Sequence, residues 1–111
     1  MNNFTEAVDS SFSAEVLQCD VTIITHFWAE WSAPSKQIEP QLKELAAEYG
    51  QHIKIVKMDI EANPVTVSHY EVLTVPTLII FKNGIPIERL VGVKPKAELM
   101  AKLLPYMPTE L

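Results

Sequence analysis

Cysteine is scarce in this chain. Its 111 residues include one cysteine, Cys19, so no disulfide can form within it. Basic side chains are missing from residues 1–30, which hold Glu6, Asp9, Glu15, Asp20 and Glu30 but no lysine or arginine. Residues 31–111 carry nine basic and nine acidic side chains, so the net charge of −5 arises wholly in the first thirty. Neither part offers a basic stripe to a phosphate backbone, and nucleic acid is not an expected partner. Long apolar runs are absent too. The longest, around Ile23-Ile24 and Leu78-Ile79-Ile80-Phe81, are strand-length, far below the roughly 20 residues that span a bilayer. The opening MNNFTEAVDSSF has neither the basic segment nor the apolar stretch of a secretory leader. A soluble, cytoplasmic protein without membrane contact is expected. His26, His52 and His69 fall on different elements with no His/Cys spacing suited to zinc, so no metal or cofactor is expected.

What is present suits one globular domain over residues 1–111: 48% apolar and 21% charged side chains in 12.5 kDa. Residues 11–18 read as a short helix opened by serine caps. Val21 to Trp28 is rich in β-branched and aromatic residues with apolar side chains on both faces, which predicts a strand covered by helices on both sides. Residues 34–49 carry Ile38, Leu42, Leu45 and Tyr49 at helical spacing, with Pro34 in the first turn and a kink expected at Pro40. Ile53 to Met58 reads as a second strand. Asn63-Pro64 reads as a cap and first-turn proline opening a helix to about Tyr70. Asn83-Gly84 between Thr77–Phe81 and Ile87–Val91 predicts an antiparallel hairpin. A final helix starts at Pro95, has Leu99, Met100, Leu103 and Leu104 as its apolar face, and ends at Pro105. The alternation predicts an α/β sandwich with a mixed central sheet.

The segment Phe27-Trp28-Ala29-Glu30-Trp31-Ser32-Ala33-Pro34-Ser35-Lys36 resembles the active-site segment of the thioredoxin family, with serines where that family has two cysteines. Val56-Lys57-Met58-Asp59 resembles the strand after the active-site helix, and Val75-Pro76-Thr77 the loop whose proline is cis. Phe81-Lys82-Asn83-Gly84 and Val91-Gly92-Val93 resemble the family's hairpin and the glycine beyond it. These landmarks come in the family's order from Val21 to about Leu104. The resemblance implies a thioredoxin fold, a mixed sheet between helices with the motif at a helix N-terminus. There a cysteine is made acidic, attacks a target disulfide, and is released by a second cysteine.

Ser32 occupies the attacking position and Ser35 the resolving one, so the chain as written cannot run that exchange. Cys19 matches no catalytic position and reads as a small apolar filler or a free thiol. His26 stands where most of the family carries a buried acid. Its imidazole is expected to be neutral, bonded to Ser35 or to a water between them, with Lys57 disfavouring its protonation. A Ser35–His26 nucleophile–base pair would lack a visible orienting group and oxyanion site. Trp31, Ala33, Pro34, Val75, Pro76, Gly92 and Val93 map onto the apolar surface with which the family grips protein targets. Three functions stay open: a monomeric binding or scaffold module that uses this groove, a Cys-to-Ser variant of an active disulfide reductase, and a serine-based enzyme. Joint loss of the cysteines and the acid points to the first.

Overall fold

A computed structural model describes residues 4–107, so both ends of the expected 1–111 domain lie outside the described residues. Five strands form one mixed sheet in the order β1-β3-β2-β4-β5. The central strands are β2 (Thr22–Trp28), β3 (Ile53–Asp59) and β4 (Thr77–Lys82), with β1 (Phe4–Glu6) and β5 (Ile85–Val91) at the edges. β1 and β2 run parallel to β3, while β4 runs antiparallel to both β2 and β5. This is the α/β thioredoxin fold.

Side-chain alternation divides the core in two. Ile24, Ile55, Leu78 and Ile80 point to one face, under Leu42 and Leu45 of α2 (Glu39–Tyr49) and Leu99 and Leu103 of α4 (Lys96–Leu103). Ile23, Phe27, Val56, Met58, Ile79 and Phe81 point to the other, under Phe12, Val16 and Val72. The same period of two puts His26 and Lys57, paired across β2 and β3, on the α2 face. Those two polar side chains are thereby committed to the interior beneath α1 (Ala33–Gln37) and α2.

Several local expectations need correction. The single helix over 34–49 is two: Pro40 has no N–H for the Lys36 carbonyl, which instead accepts from Ile38 N–H, and α1 stops before α2 begins. Residues 13–17 form one π-helical turn, closed by Gln18 N–H on the Ser13 carbonyl, and no serine caps it. Ser11 spends its hydroxyl on the backbone of Val8. α3 (Pro64–His69) is not capped by Asn63. Its cap is Asp9, from the other end of the chain, whose carboxylate accepts from Val65 N–H at 3.1 Å, Thr66 N–H at 2.9 Å and Thr66 Oγ1 at 2.6 Å. Asn63 anchors that loop, accepting from Asp9 N–H and donating to the Asp59 carbonyl.

The hairpin forms at Asn83-Gly84, with φ of 53° and 79° as a two-residue turn of the I′ kind demands. A Cβ on Gly84 would also meet the Leu17 carbonyl oxygen at 2.8 Å. So tight a turn lets pairing resume at Ile85, two residues before the expected Ile87. Pro86 is accommodated at this outer strand beside an irregularity between Ile80 and Phe81. The last α-helix ends at Leu103, and Pro105 sits inside a closing 3-10 turn, Leu104–Tyr106.

Candidate functional site

The C-terminal ends of β2 and β3 and the start of β4 meet at one end of the sheet. Beyond Trp28 the chain turns through Trp31, and Ser32 becomes the N-cap of α1 with its N–H on the Ala29 carbonyl. Ser32 Oγ accepts from Ser35 N–H at 3.2 Å, satisfying one free amide of the helix start. Both serines are buried, Ser32 to 5% exposure and Ser35 to 0%. No side chain among the described residues hydrogen-bonds to either hydroxyl, and Ser35 Oγ has no partner.

His26 lies fully buried below, and it meets Ser35 through that residue's backbone rather than through Ser35 Oγ. Its nearest charged neighbour is one that the sequence reading missed. Glu39 Oε2 sits 3.4 Å from His26 Nε2, and the same oxygen takes an ion pair from Lys57 Nζ at 2.8 Å. Burial pushes the imidazole down to about 4, opposed by the Glu39 carboxylate, assisted by the Lys57 ammonium, and opposed again by the Ser35 backbone. His26 is therefore neutral at physiological pH. Lys57 Nζ also lies 4.2 Å from the centre of the Trp28 ring, whose Nε1 is buried without a partner. Glu39 had one signal in the sequence: it follows Ser35 by four residues, one helical turn along.

The residues expected to line a groove lie at this same end of the sheet. The Val75–Pro76 peptide is cis, and the Pro76 carbonyl accepts from Gly92 N–H at 2.9 Å, tying the two loops together. Thr77, which follows, pairs with Phe27 on one side and Val91 on the other. Both loops thus stand at the same end of the sheet as Trp31. Trp31 is 66% exposed and Val93 40%; Ala33 and Pro34 are exposed, Val75 and Gly92 half-buried, and Pro76 buried. Cys19 is elsewhere, half-buried against the Phe12–Phe81 cluster before β2 begins. The seven residues of β2 separate it from the serines by about 20 Å. Among the described residues no three His, Cys, Asp or Glu side chains gather as a metal ion would need, and no helix is long and apolar enough to cross a membrane.

A cis-proline loop facing a helix N-terminus across the end of a mixed sheet defines the thioredoxin class of site. The sequence comparisons agree. The family description "Thioredoxin" matches residues 3–104. A thioredoxin of Mycobacterium tuberculosis (strain ATCC 25618 / H37Rv) is 38% identical over 103 residues, covering 93% of this chain and 89% of that protein. Thioredoxins of Streptomyces clavuligerus and Staphylococcus aureus (strain MW2) are 42% and 43% identical, covering 83% and 85% of this chain and 85% and 88% of theirs. The chain belongs to the thioredoxin family.

Proposed function

We propose that this chain is a target-binding member of the family, one that grips polypeptide segments without exchanging disulfides. One observation carries the reading: the apparatus around the reactive positions is kept while the sulfur is gone. Ser32 still caps the helix, Pro76 is still cis and tied to Gly92, and Trp31 still faces solvent. A helix N-terminus lowers a thiol's pKa by a few units at most, which is too little to ionise a serine hydroxyl, and oxygen forms no reversible bond to a target's sulfur. Cys19 lies too far away to replace either position.

His26 supports a natural binding module over a two-residue Cys-to-Ser variant. Exchanging two sulfurs for oxygens requires no change at a buried site below them, yet the charge there is rearranged into the His26–Glu39–Lys57 cluster. The absence of a hydrogen bond between the Ser35 hydroxyl and His26 and the burial of Ser35 speak against the serine enzyme. The partner is a protein segment laid along Trp31, Ala33, Pro34, Val75, Pro76, Gly92 and Val93, bound by a monomer in the cytoplasm, where a chain with one thiol needs no oxidising compartment.

The test is a fluorescence-anisotropy titration of a dye-labelled, reduced, carboxamidomethylated insulin B chain, an unfolded probe unable to exchange disulfides. Saturable binding is expected, weakened at least tenfold by Trp31→Ala with thermal stability unchanged. No binding, or equal binding by both proteins, overturns the reading.

A further inference from the structure

A recess opens on the α3 side of the protein. It measures about 680 Å³ and is walled by Ile60, Pro64 and Val67, and by Val72 and Leu73 in the chain that leaves α3. Ile60 N–H donates to the Trp28 carbonyl at 3.0 Å, so the recess adjoins the strand end that leads to Trp31. Leu73 is 90% exposed, the most exposed large apolar side chain described. The wall is apolar apart from Ser68 and one carboxylate, Glu71.

Glu71 stands where a short side chain or none is the usual choice. α3 closes with a paired motif, Val72 N–H on the Val67 carbonyl and Glu71 N–H on the Ser68 carbonyl. That closure places the residue after the C-cap in the left-handed region, and Glu71 has φ of 54°. Glycine takes this position freely and asparagine often, whereas glutamate is held there against its preference. Its side chain returns nothing to the fold. Among the described residues Glu71 makes no ion pair and no side-chain hydrogen bond. Glu61, next to Ile60, is likewise exposed and without an ion pair. No lysine or arginine lines the recess, and Arg89 is spent on the Tyr70 carbonyl. A locally disfavoured residue on the rim of a cleft is where a functional constraint is expected to show.

We propose that this recess takes an apolar side chain of the bound polypeptide and that Glu71 selects a lysine or arginine next to it. The inference rests on the polypeptide-binding reading above and adds to it a target class: segments that alternate apolar and basic residues. Leu73 and Val72 supply the apolar wall. The Glu71 and Glu61 carboxylates supply a field that a basic chain satisfies and an acidic one does not. A second copy of this chain is a poor occupant, because its net charge of −5 repels its own acidic rim.

The test uses capped decapeptides of alternating leucine and lysine, leucine and glutamate, or leucine and serine, titrated at low salt and followed by the methyl signals of Leu73 and Val67. The lysine peptide is expected to bind at least fivefold tighter than the serine peptide, with the glutamate peptide weakest. Glu71→Gln should remove most of that preference, and Leu73→Ser should weaken all three peptides. Glu71→Gly should abolish the preference while raising Tm, which separates lost recognition from lost folding. Equal affinities, a preference untouched by Glu71→Gln, methyl shifts absent at Leu73, or self-association that buries Leu73 each overturn the inference. Failure of the alkylated insulin chain to bind would instead strike the parent reading, since that binding is tested at Trp31.

Discussion

The neutral imidazole of His26 gives the protein a weakness to mild acid. In an unfolded chain the group titrates near 6.5, while burial in the fold holds it at about 4. Between these values the unfolded state binds a proton that the native state refuses, so stability falls as pH falls. The loss begins near pH 6.5 and is complete once the native imidazole is protonated below about 4. At about 1.4 kcal/mol per unit, the full loss is about 3 kcal/mol, of which about 2 kcal/mol has accrued by pH 5. Above that pH ordinary carboxylates remain charged, and comparison with a variant lacking His26 isolates its share. Urea unfolding at intervals between about pH 7.5 and pH 5 measures the loss directly. His26→Leu is the control: it fills the space with an apolar group that cannot titrate and gives up only the neutral ring's contacts to the Ser35 backbone and Glu39. Its stability near pH 7.5 should lie within about 1 kcal/mol of the parent and change little toward pH 5. Parallel decline of the two proteins would refute a buried, neutral His26.

Further outcomes follow from the same geometry. Glu71→Gly relieves the left-handed backbone and should stabilise the protein by about 0.5–1 kcal/mol in urea, the gain being reduced by the greater freedom of an unfolded glycine. Thr66 and the amides of Val65 and Thr66 hold the Asp9 carboxyl below its ordinary pKa. Asp9→Ala should therefore lower Tm while Glu6→Ala does not, and the stabilising effect of Asp9 should fade as acid protonates it. The monomer's Tm should be identical with and without reductant in calorimetry, because no intramolecular disulfide exists to be reduced.

Much of the fold was legible because its signals are local. Val21 to Trp28 announces a strand covered on both faces by its own composition, and Asn83-Gly84 fixes the hairpin by the φ values it tolerates. The strand β1 was not legible: three residues, Phe4–Glu6, have no period to detect and become a strand only by pairing with Ile55–Lys57. The caps failed for a similar reason. Asn63 is well placed in the sequence to cap α3, yet Asp9, more than fifty residues earlier, takes the role because the sheet brings the two loops together. At the site, Ser32, Ser35, His26 and Lys57 were found from the resemblance and meet at the end of β2 and β3. Glu39 was not, since His26 and Glu39 become neighbours only when α2 packs across the sheet.

The proposed grip without sulfur chemistry is tested most directly by backbone amide shifts of the labelled protein during titration with the alkylated insulin B chain. Shifts gathered at Trp31, Ala33, Val75, Gly92 and Val93, with none at Gly50 or Lys54 at the far end of the sheet, are expected. An unchanged spectrum, or shifts gathered away from the Pro76 loop, would contradict the account.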